Sequence, residues 1–176
     1  GPMMPPSAHT GPGEAELRTR LSRLVEAFGR PRIAVVGDLI ADEFIYGRLD
    51  RVSREAPVLI LKYDSTEVTP GGAGNAAHNV AALGAVAHLV GVIGADDVGR
   101  RLSRSFPRRV VKTRLVRPHG YRTPTKTRIL AGGIHSVRQQ VVRVDRDGPA
   151  IDHATREAVT RAAGEAVAGC DAVIVS

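Results

Sequence analysis

The sequence has no tryptophan, one cysteine, and only three Phe and three Tyr. A lone Cys170 excludes a disulfide-stapled scaffold. With aromatics at 3%, Ala, Val, Leu and Gly must build the core, a composition common in α/β proteins. No apolar run approaches membrane-spanning length. Residues 1–13 are rich in Pro and Gly and lack the apolar stretch of a signal peptide. They read as a disordered tail, and Gly1-Pro2 before Met3 has the form of a scar left by tag removal. These absences lead us to expect a cytoplasmic protein with no membrane partner. The dinucleotide spacing G-x-G-x-x-G and the phosphate loop ending Gly-Lys-Ser/Thr are both missing. Acidic residues are missing too between Asp97 and Asp145, where thirteen Lys or Arg occur, in a chain of net charge +7. Nucleic acid is a poor partner for that segment, because it has almost no aromatic residues for base stacking and no zinc or nucleic-acid motif. A solvated surface, or attraction of anionic substrates such as phosphorylated sugars and nucleotides, fits better.

What is present centres on residues 70–94. A glycine cluster, Gly71-Gly72-Ala73-Gly74, is followed by Asn75 and a small-residue apolar run through Ala76, Ala77, Val80, Ala81 and Leu83. Gly84 closes the run, and a branched apolar segment, residues 89–93, ends at Gly94. The pattern predicts a glycine turn, a helix with a Gly cap, and a buried strand. Glycines there expose backbone N–H groups at the positive end of a helix dipole. Asn75 adds a donor and an acceptor suited to hydroxyls.

The rest of the chain, 14–176, reads as one α/β domain. Residues 14–28 form an amphipathic helix, with Leu17, Leu21, Leu24, Val25 and Phe28 on one face. Residues 33–36 are a buried strand ending in Gly37-Asp38, with Asp42 four residues on. Carboxylates beyond the first strand lie where open α/β sheets bind ligands. Asp38 also suits a helix or turn cap, whereas Asp42 suits a pair of sugar hydroxyls. Residues 44–46 and 58–63 read as strands about a polar turn at 48–57, an inserted flap or lid. A helix over 98–106, a strand over 110–116 and a loop at 118–124 follow. Residues 126–131 and 137–144 predict a hairpin about Gly132-Gly133, a second lid or edge element. A helix over 152–168 precedes a last buried strand, Asp171 to Ser176. A parallel sheet needs helices on both faces, so the domain reads as truncated after a core strand.

These residues resemble the ribokinase-like (PfkB) carbohydrate kinases. Gly71, Gly72, Ala73, Asn75, Ala77, Gly84 and Gly94 match the spacing of that family's first signature, and Gly37 with Asp42 matches its first-strand motif. Within the family the strongest likeness is to the heptose 7-phosphate kinases. It is carried by VVGDLIADEFIYG, SREAPV, PGGAGNAAHNVAALGA, and TPTKTRIL followed by RQQVVRVD, and covers residues 32–176.

The resemblance implies a three-layer α/β sandwich with a mostly parallel sheet and a small β lid. It implies transfer of the ATP γ-phosphoryl group, with Mg2+, to a sugar hydroxyl, here the anomeric hydroxyl of D-glycero-D-manno-heptose 7-phosphate. That reaction belongs to the synthesis of ADP-heptose for lipopolysaccharide core. Asp42, Asp38, Gly71, Gly72 and Asn75 would hold the sugar, and Lys126, Arg128 or Arg138 its existing phosphate. The lid strands imply a homodimer. The family's second signature, Gly-Ala-Gly-Asp, supplies the catalytic base and much of the ATP site. It does not occur in these 176 residues, and the resemblance places it beyond the equivalent of Ser176. No catalytic residue is therefore assigned, and the chain by itself is expected to be inactive. Another sugar or nucleoside kinase of the family, or a non-catalytic sugar-phosphate-binding module, remains open.

Overall fold

Branched apolar runs that fit only a sheet covered on both faces form the centre of the computed structural model, which describes residues 12–26, 29–53, 56–132 and 138–176. The strands are β1 (Arg32–Val36), β4 (Val86–Val92), β5 (Val111–Val116) and β8 (Ala172–Val175). They lie in the order β5-β4-β1-β8, every neighbouring pair parallel. Side chains alternate across this sheet. Val35, Leu89 and Val111 face a core shared with Ala77 and Val80 of α2 (Ala73–Ala82) and Leu102 of α3 (Asp97–Ser105). Ala34 and Val90 face Ala166 of α4 (His153–Val167). The result is the expected three-layer sandwich, built mainly from Ala, Val and Leu.

The last strand differs from the expectation in two ways. It stops at Val175, so Ser176 lies just past its carboxyl end instead of inside it. It is also exposed along its whole length, not buried. β8 is the edge of the sheet and has β1 as its one neighbour, which leaves Val173 and Val175 uncovered. An apolar run reports the tendency to be covered and not the cover itself.

The ends of the helices follow from local chemistry. Asp96 and Asp152 cap α3 and α4, each carboxylate accepting an N–H three residues on. Gly84, at φ 93°, ends α2 in the left-handed region that glycine tolerates. The first helix, α1 (Pro12–Glu26), belongs to a separate unit ending at Arg30. Its Leu17, Leu21, Leu24 and Val25 are exposed, and Phe28 lies outside the described residues.

The polar turn expected at 48–57 is strand over its first half, as far as Val52. β2 (Leu39–Val52) and β3 (Leu59–Gly72) form one long antiparallel ribbon. Its outer part carries charge rather than apolar alternation, with Arg48 Nε 3.0 Å from Asp64 and Lys62 Nζ 3.0 Å from Asp50 across the strands. Such a ladder has the composition of a turn, which is why pattern alone misplaces it. The two expected lid elements are also one. β6 (Thr125–Gly132) pairs parallel with β2 and antiparallel with β7 (Gln139–Arg146), giving a second four-stranded sheet in the order β3-β2-β6-β7. Gly133, at the turn expected between β6 and β7, lies outside the described residues.

Asp96 also fixes how the β4–α3 turn meets the loop at 118–124. Its Oδ1 accepts from Gly99 N–H at 2.9 Å and from the Thr123 hydroxyl at 2.7 Å, and its Oδ2 accepts from Thr123 N–H at 2.9 Å. Thr123 Oγ1 in turn accepts from Gly94 N–H at 3.0 Å. Burial works to raise the Asp96 carboxyl, but these hydrogen bonds outweigh it and hold it below the usual carboxylate range. Asp96→Ala removes a helix cap and leaves the Thr123 N–H and hydroxyl without their acceptor, so it should cost about 2–3 kcal/mol in urea unfolding. The folded value lies below the unfolded one. The stabilisation is therefore full above the unfolded carboxylate pKa and is lost as pH falls through the folded value. The gap in Tm between native protein and variant should narrow on acidification, and a gap independent of pH would contradict this role.

Candidate functional site

The strand order reverses direction at β1, which has β4 on one side and β8 on the other. Crevices in open α/β sheets form at the carboxyl ends of strands beside such a point. A cavity of about 400 Å³ lies there, lined by Val36 at the end of β1, by Gly37 and Asp38 after it, by Gly91 and Val92 of β4, and by Tyr121. Ile40 of β2 forms part of its wall. Burial, together with the Asp38 carboxylate, raises the Tyr121 phenol above its ordinary value. Sequence pattern does not single out Tyr121, because its loop carries no motif.

Ser176 meets this crevice from the β8 side. Its N–H donates to the Val36 carbonyl at 3.0 Å, and its own carbonyl accepts from Asp38 N–H at 3.4 Å. A Cβ on Gly37 would run into that carbonyl, so the glycine lets the two chains pass side by side. The sequence reading placed Ser176 in the last strand and used it as the marker beyond which the base would lie. The structure gives its backbone a part in holding the Gly37-Asp38 turn.

Strand alternation connects the cavity to the lid. Leu39 and Ala41 are buried in the core, so Ile40, Asp42, Phe44 and Tyr46 share the opposite, open face of β2. Asp42 thus lies on a strand, two residues beyond the cavity wall, and not in a loop past β1. Arg128 reaches it from β6, with Nη1 2.6 Å from Oδ1 and both side chains about one quarter exposed (25% and 24%). The Arg128 guanidinium also lies 5.3 Å from the centre of the Phe44 ring. Lys126 is directly opposite Asp42 in the parallel register and makes no hydrogen bond or ion pair among the described residues. Arg138 lies further out, 4.8 Å above the Tyr46 ring and 3.8 Å from Asp64.

The glycines of the motif have separate tasks. Gly71 and Gly72 end β3 instead of forming a free turn, and α2 begins at Ala73. A Cβ on Gly71 would stand 2.6 Å from Asp42 Oδ2, so the bare backbone makes room for that carboxylate. Gly72, at φ 55°, lets the chain double back so that Ala73 N–H donates to the Asp38 carbonyl at 2.9 Å. Asp38 therefore serves the start of α2 through its backbone, while its side chain is exposed at the cavity. The side-chain cap considered for Asp38 is not the arrangement found. Asn75 is exposed in the first turn of α2 and lines a different, shallow depression with His78 and Asn79. The structure thus brings Asp42, Gly71, Arg128 and Lys126 together on the lid, while Asp38 lines the cavity and Arg138 and Asn75 are set apart.

This arrangement can hold a polyol. A carboxylate accepts from two hydroxyls, and cations on the same face favour an anionic substituent. Among the described residues no group of three His, Cys, Asp or Glu could hold a metal ion.

Residues 30–142 match the family described as pfkB family carbohydrate kinase. The chain is 38% identical over 151 residues to D-beta-D-heptose 7-phosphate kinase of Bordetella bronchiseptica, covering 86% of this chain and 46% of that protein. It is 37% identical over 162 residues to Bifunctional protein HldE of Hyphomonas neptunium, covering 91% of this chain and 32% of that protein. The chain thus spans a third to nearly half of these relatives. Among solved structures it resembles a carbohydrate kinase from Agrobacterium tumefaciens, with TM-score 0.59 and 23% identity over 82% of this chain and 45% of that one. It also resembles phosphofructokinase-2 from Escherichia coli, with TM-score 0.57 and 18% identity over 85% and 45%. At these identities the two structures speak for the fold alone.

Proposed function

The chain belongs to the pfkB family of carbohydrate kinases, and on that footing we propose that it carries the sugar-binding half of an ATP-dependent heptose 7-phosphate kinase. The complete protein would phosphorylate the anomeric hydroxyl of D-glycero-D-manno-heptose 7-phosphate in the cytoplasm, toward ADP-heptose. It would pair with a second copy through the lid. The observation that carries this reading is Asp42, held by Arg128 on the open face of β2 two residues beyond the cavity wall, with Gly71 cleared beside it.

In this reading Asp42 accepts ring hydroxyls and fixes the sugar, while the Gly71-Gly72 backbone and Asp38 border the same space. Asn75 lies at the start of α2, in the depression it shares with His78 and Asn79. Orientation is the main contribution such residues can make, because phosphoryl transfer depends on positioning and electrostatics more than on covalent chemistry by the protein. ATP and Mg2+ would supply the transferred group and its charge neutralisation. The chemistry of holding them is not assigned to these residues.

The test is ADP release by the complete protein with heptose 7-phosphate, fructose 6-phosphate and nucleosides as acceptors. The expected result is turnover of ~1–100 per second with the heptose phosphate and a kcat/KM well above that of the others. Preference for a nucleoside or an unphosphorylated sugar would replace the heptose assignment with another kinase of the family. No turnover with any acceptor would favour a sugar-phosphate-binding module.

A further inference from the structure

Where α3 gives way to β5, at the edge of the main sheet, lies a depression of about 360 Å³ that no motif marks. Ser103, Phe106, Arg108, Lys112, Thr113 and Arg117 line it, and none of its lining residues is acidic. Its three cations have no carboxylate partner among the described residues. Lys112 Nζ donates to the Arg108 carbonyl at 2.9 Å, and Arg117 Nη2 to the Ser103 hydroxyl at 2.9 Å. The Arg108 guanidinium makes no hydrogen bond or ion pair among the described residues. One cation near the carboxyl end of a helix complements its dipole. Three about one depression exceed that need, and they repel one another until an anion lies among them. The backbone adds a donor. Among the described residues β5 has β4 as its one neighbour. Ala87 N–H donates to the Val110 carbonyl, so Val110 and Lys112 turn their backbone polar groups to β4 while Val111 and Thr113 turn theirs outward. Val111 N–H is taken by the Pro107 carbonyl at 2.9 Å. Thr113 N–H has no strand to bond on that side.

We propose that this depression binds a small molecule carrying a phosphate or diphosphate group, at a site apart from both the crevice and the lid. It shares no lining residue with the crevice, and the proposal stands independently of the sugar-kinase reading. Two guanidinium groups, an ammonium, two hydroxyls and an outward N–H offer donors and no fixed negative charge, the inventory that suits phosphoryl oxygens. The Arg108 guanidinium, without a partner, keeps its whole planar fork for two oxygens of one phosphate. The volume lies at the small end of small-molecule sites, which fits a metabolite. The position suits an effector. Arg117 immediately precedes the loop at 118–124, whose Tyr121 lines the crevice. Ser103, its partner, stands on α3, and the Asp96 cap of the same helix holds Thr123 of that loop. An anion that draws in Arg117 therefore bears on the loop from its first residue.

The probe is pyrophosphate, titrated calorimetrically into the complete protein as native chain, Arg108→Gln, Arg117→Gln and Arg117→Lys. Arg104→Gln is the control, since Arg104 is exposed on α3 and does not line the depression. Arg108→Gln removes a side chain that has no partner, so it should leave the urea midpoint unchanged while weakening pyrophosphate about tenfold. Arg117→Gln should weaken it to a similar degree, Arg117→Lys less, and Arg104→Gln little. Equal weakening by all three glutamine variants is the mark of diffuse surface charge and overturns the site. Native protein that binds no pyrophosphate, or binds it indifferently to Arg108 and Arg117, overturns it too. Vesicles of phosphatidylglycerol separate a free phosphate from a lipid headgroup. Retention on vesicles that depends on Arg108 and Arg117, without pyrophosphate binding, assigns the surface to a membrane and overturns the small-molecule site.

Discussion

Asp42→Asn in the complete kinase should lower kcat/KM for the sugar by about two to four orders of magnitude while the fold stays intact. A hydrogen bond to a charged group contributes ~1.5–3 kcal/mol. Two hydroxyls on one carboxylate therefore represent ~3–6 kcal/mol, and each 1.36 kcal/mol is a factor of ten in rate. The amide keeps one acceptor oxygen and turns the other side into a donor. It also leaves Arg128 without the anion 2.6 Å away, so the cation next to the sugar is free to take another position. Both KM and kcat should suffer, because the same contacts hold the hydroxyl that must be in line for transfer. Steady-state kinetics with saturating ATP, beside a urea midpoint for each protein, separate a lost contact from a lost fold. Unchanged kinetics in a folded variant would remove Asp42 from the sugar site.

Gly72→Ala should be a severely damaging small substitution for the fold, with a loss of about 3 kcal/mol or more. Gly72 sits at φ 55°, ψ −133°, a conformation that side chains other than glycine adopt only under strain of ~1–3 kcal/mol. A Cβ there would also press into the Asp38 carbonyl oxygen, a backbone atom that itself accepts from Ala73 N–H. Neither partner can rotate away, so the joint between β2, β3 and α2 must open. Gly71→Ala makes a sharp contrast. Its nearest obstacle is the Asp42 carboxylate, the end of a side chain that can turn. We expect Gly71→Ala to keep most of the stability and lose most of the sugar affinity. Urea unfolding and substrate KM on the two variants check this, and equal effects on both measures would refute the division of labour between adjacent glycines.

The core is readable from sequence because burial on two faces leaves a plain mark. Residues of β1 and β4 form branched apolar runs, and Gly84 marks the end of α2 at the expected place. β8 carries the same mark but sits at an edge, so its run foretells a strand and not its cover. The lid is readable only in part. At Arg48, Asp50, Lys62 and Asp64 the strands are held by cross-strand charges, and charge without apolar alternation looks like a turn. That β2 and β6 lie side by side is a nonlocal fact, a register between residues 41–48 and 125–132 that no local pattern encodes. The Asp42–Arg128 pair follows from that register, which is why sequence cannot rank Lys126, Arg128 and Arg138. Tyr121 gains its meaning only from the cavity. Asp42 itself is legible through its spacing from Gly37 and the glycine pair, although its place on a strand is not.

The lid also bears on how the chain is made. Its two central strands, β2 and β6, are separated by β3, α2, β4, α3 and β5, and so by much of the main sheet. During synthesis the β2–β3 ribbon emerges early and exposes one long edge of unpaired backbone. That edge is covered only after β6 has emerged, some sixty residues later. Contacts of such sequence separation form slowly, because the loop between them must first be closed. The growing chain therefore passes through an interval in which a bare strand waits for its neighbour. The charges on the outer ribbon, Arg48, Asp50, Lys62 and Asp64, are the kind that keep such a strand from pairing with another nascent chain.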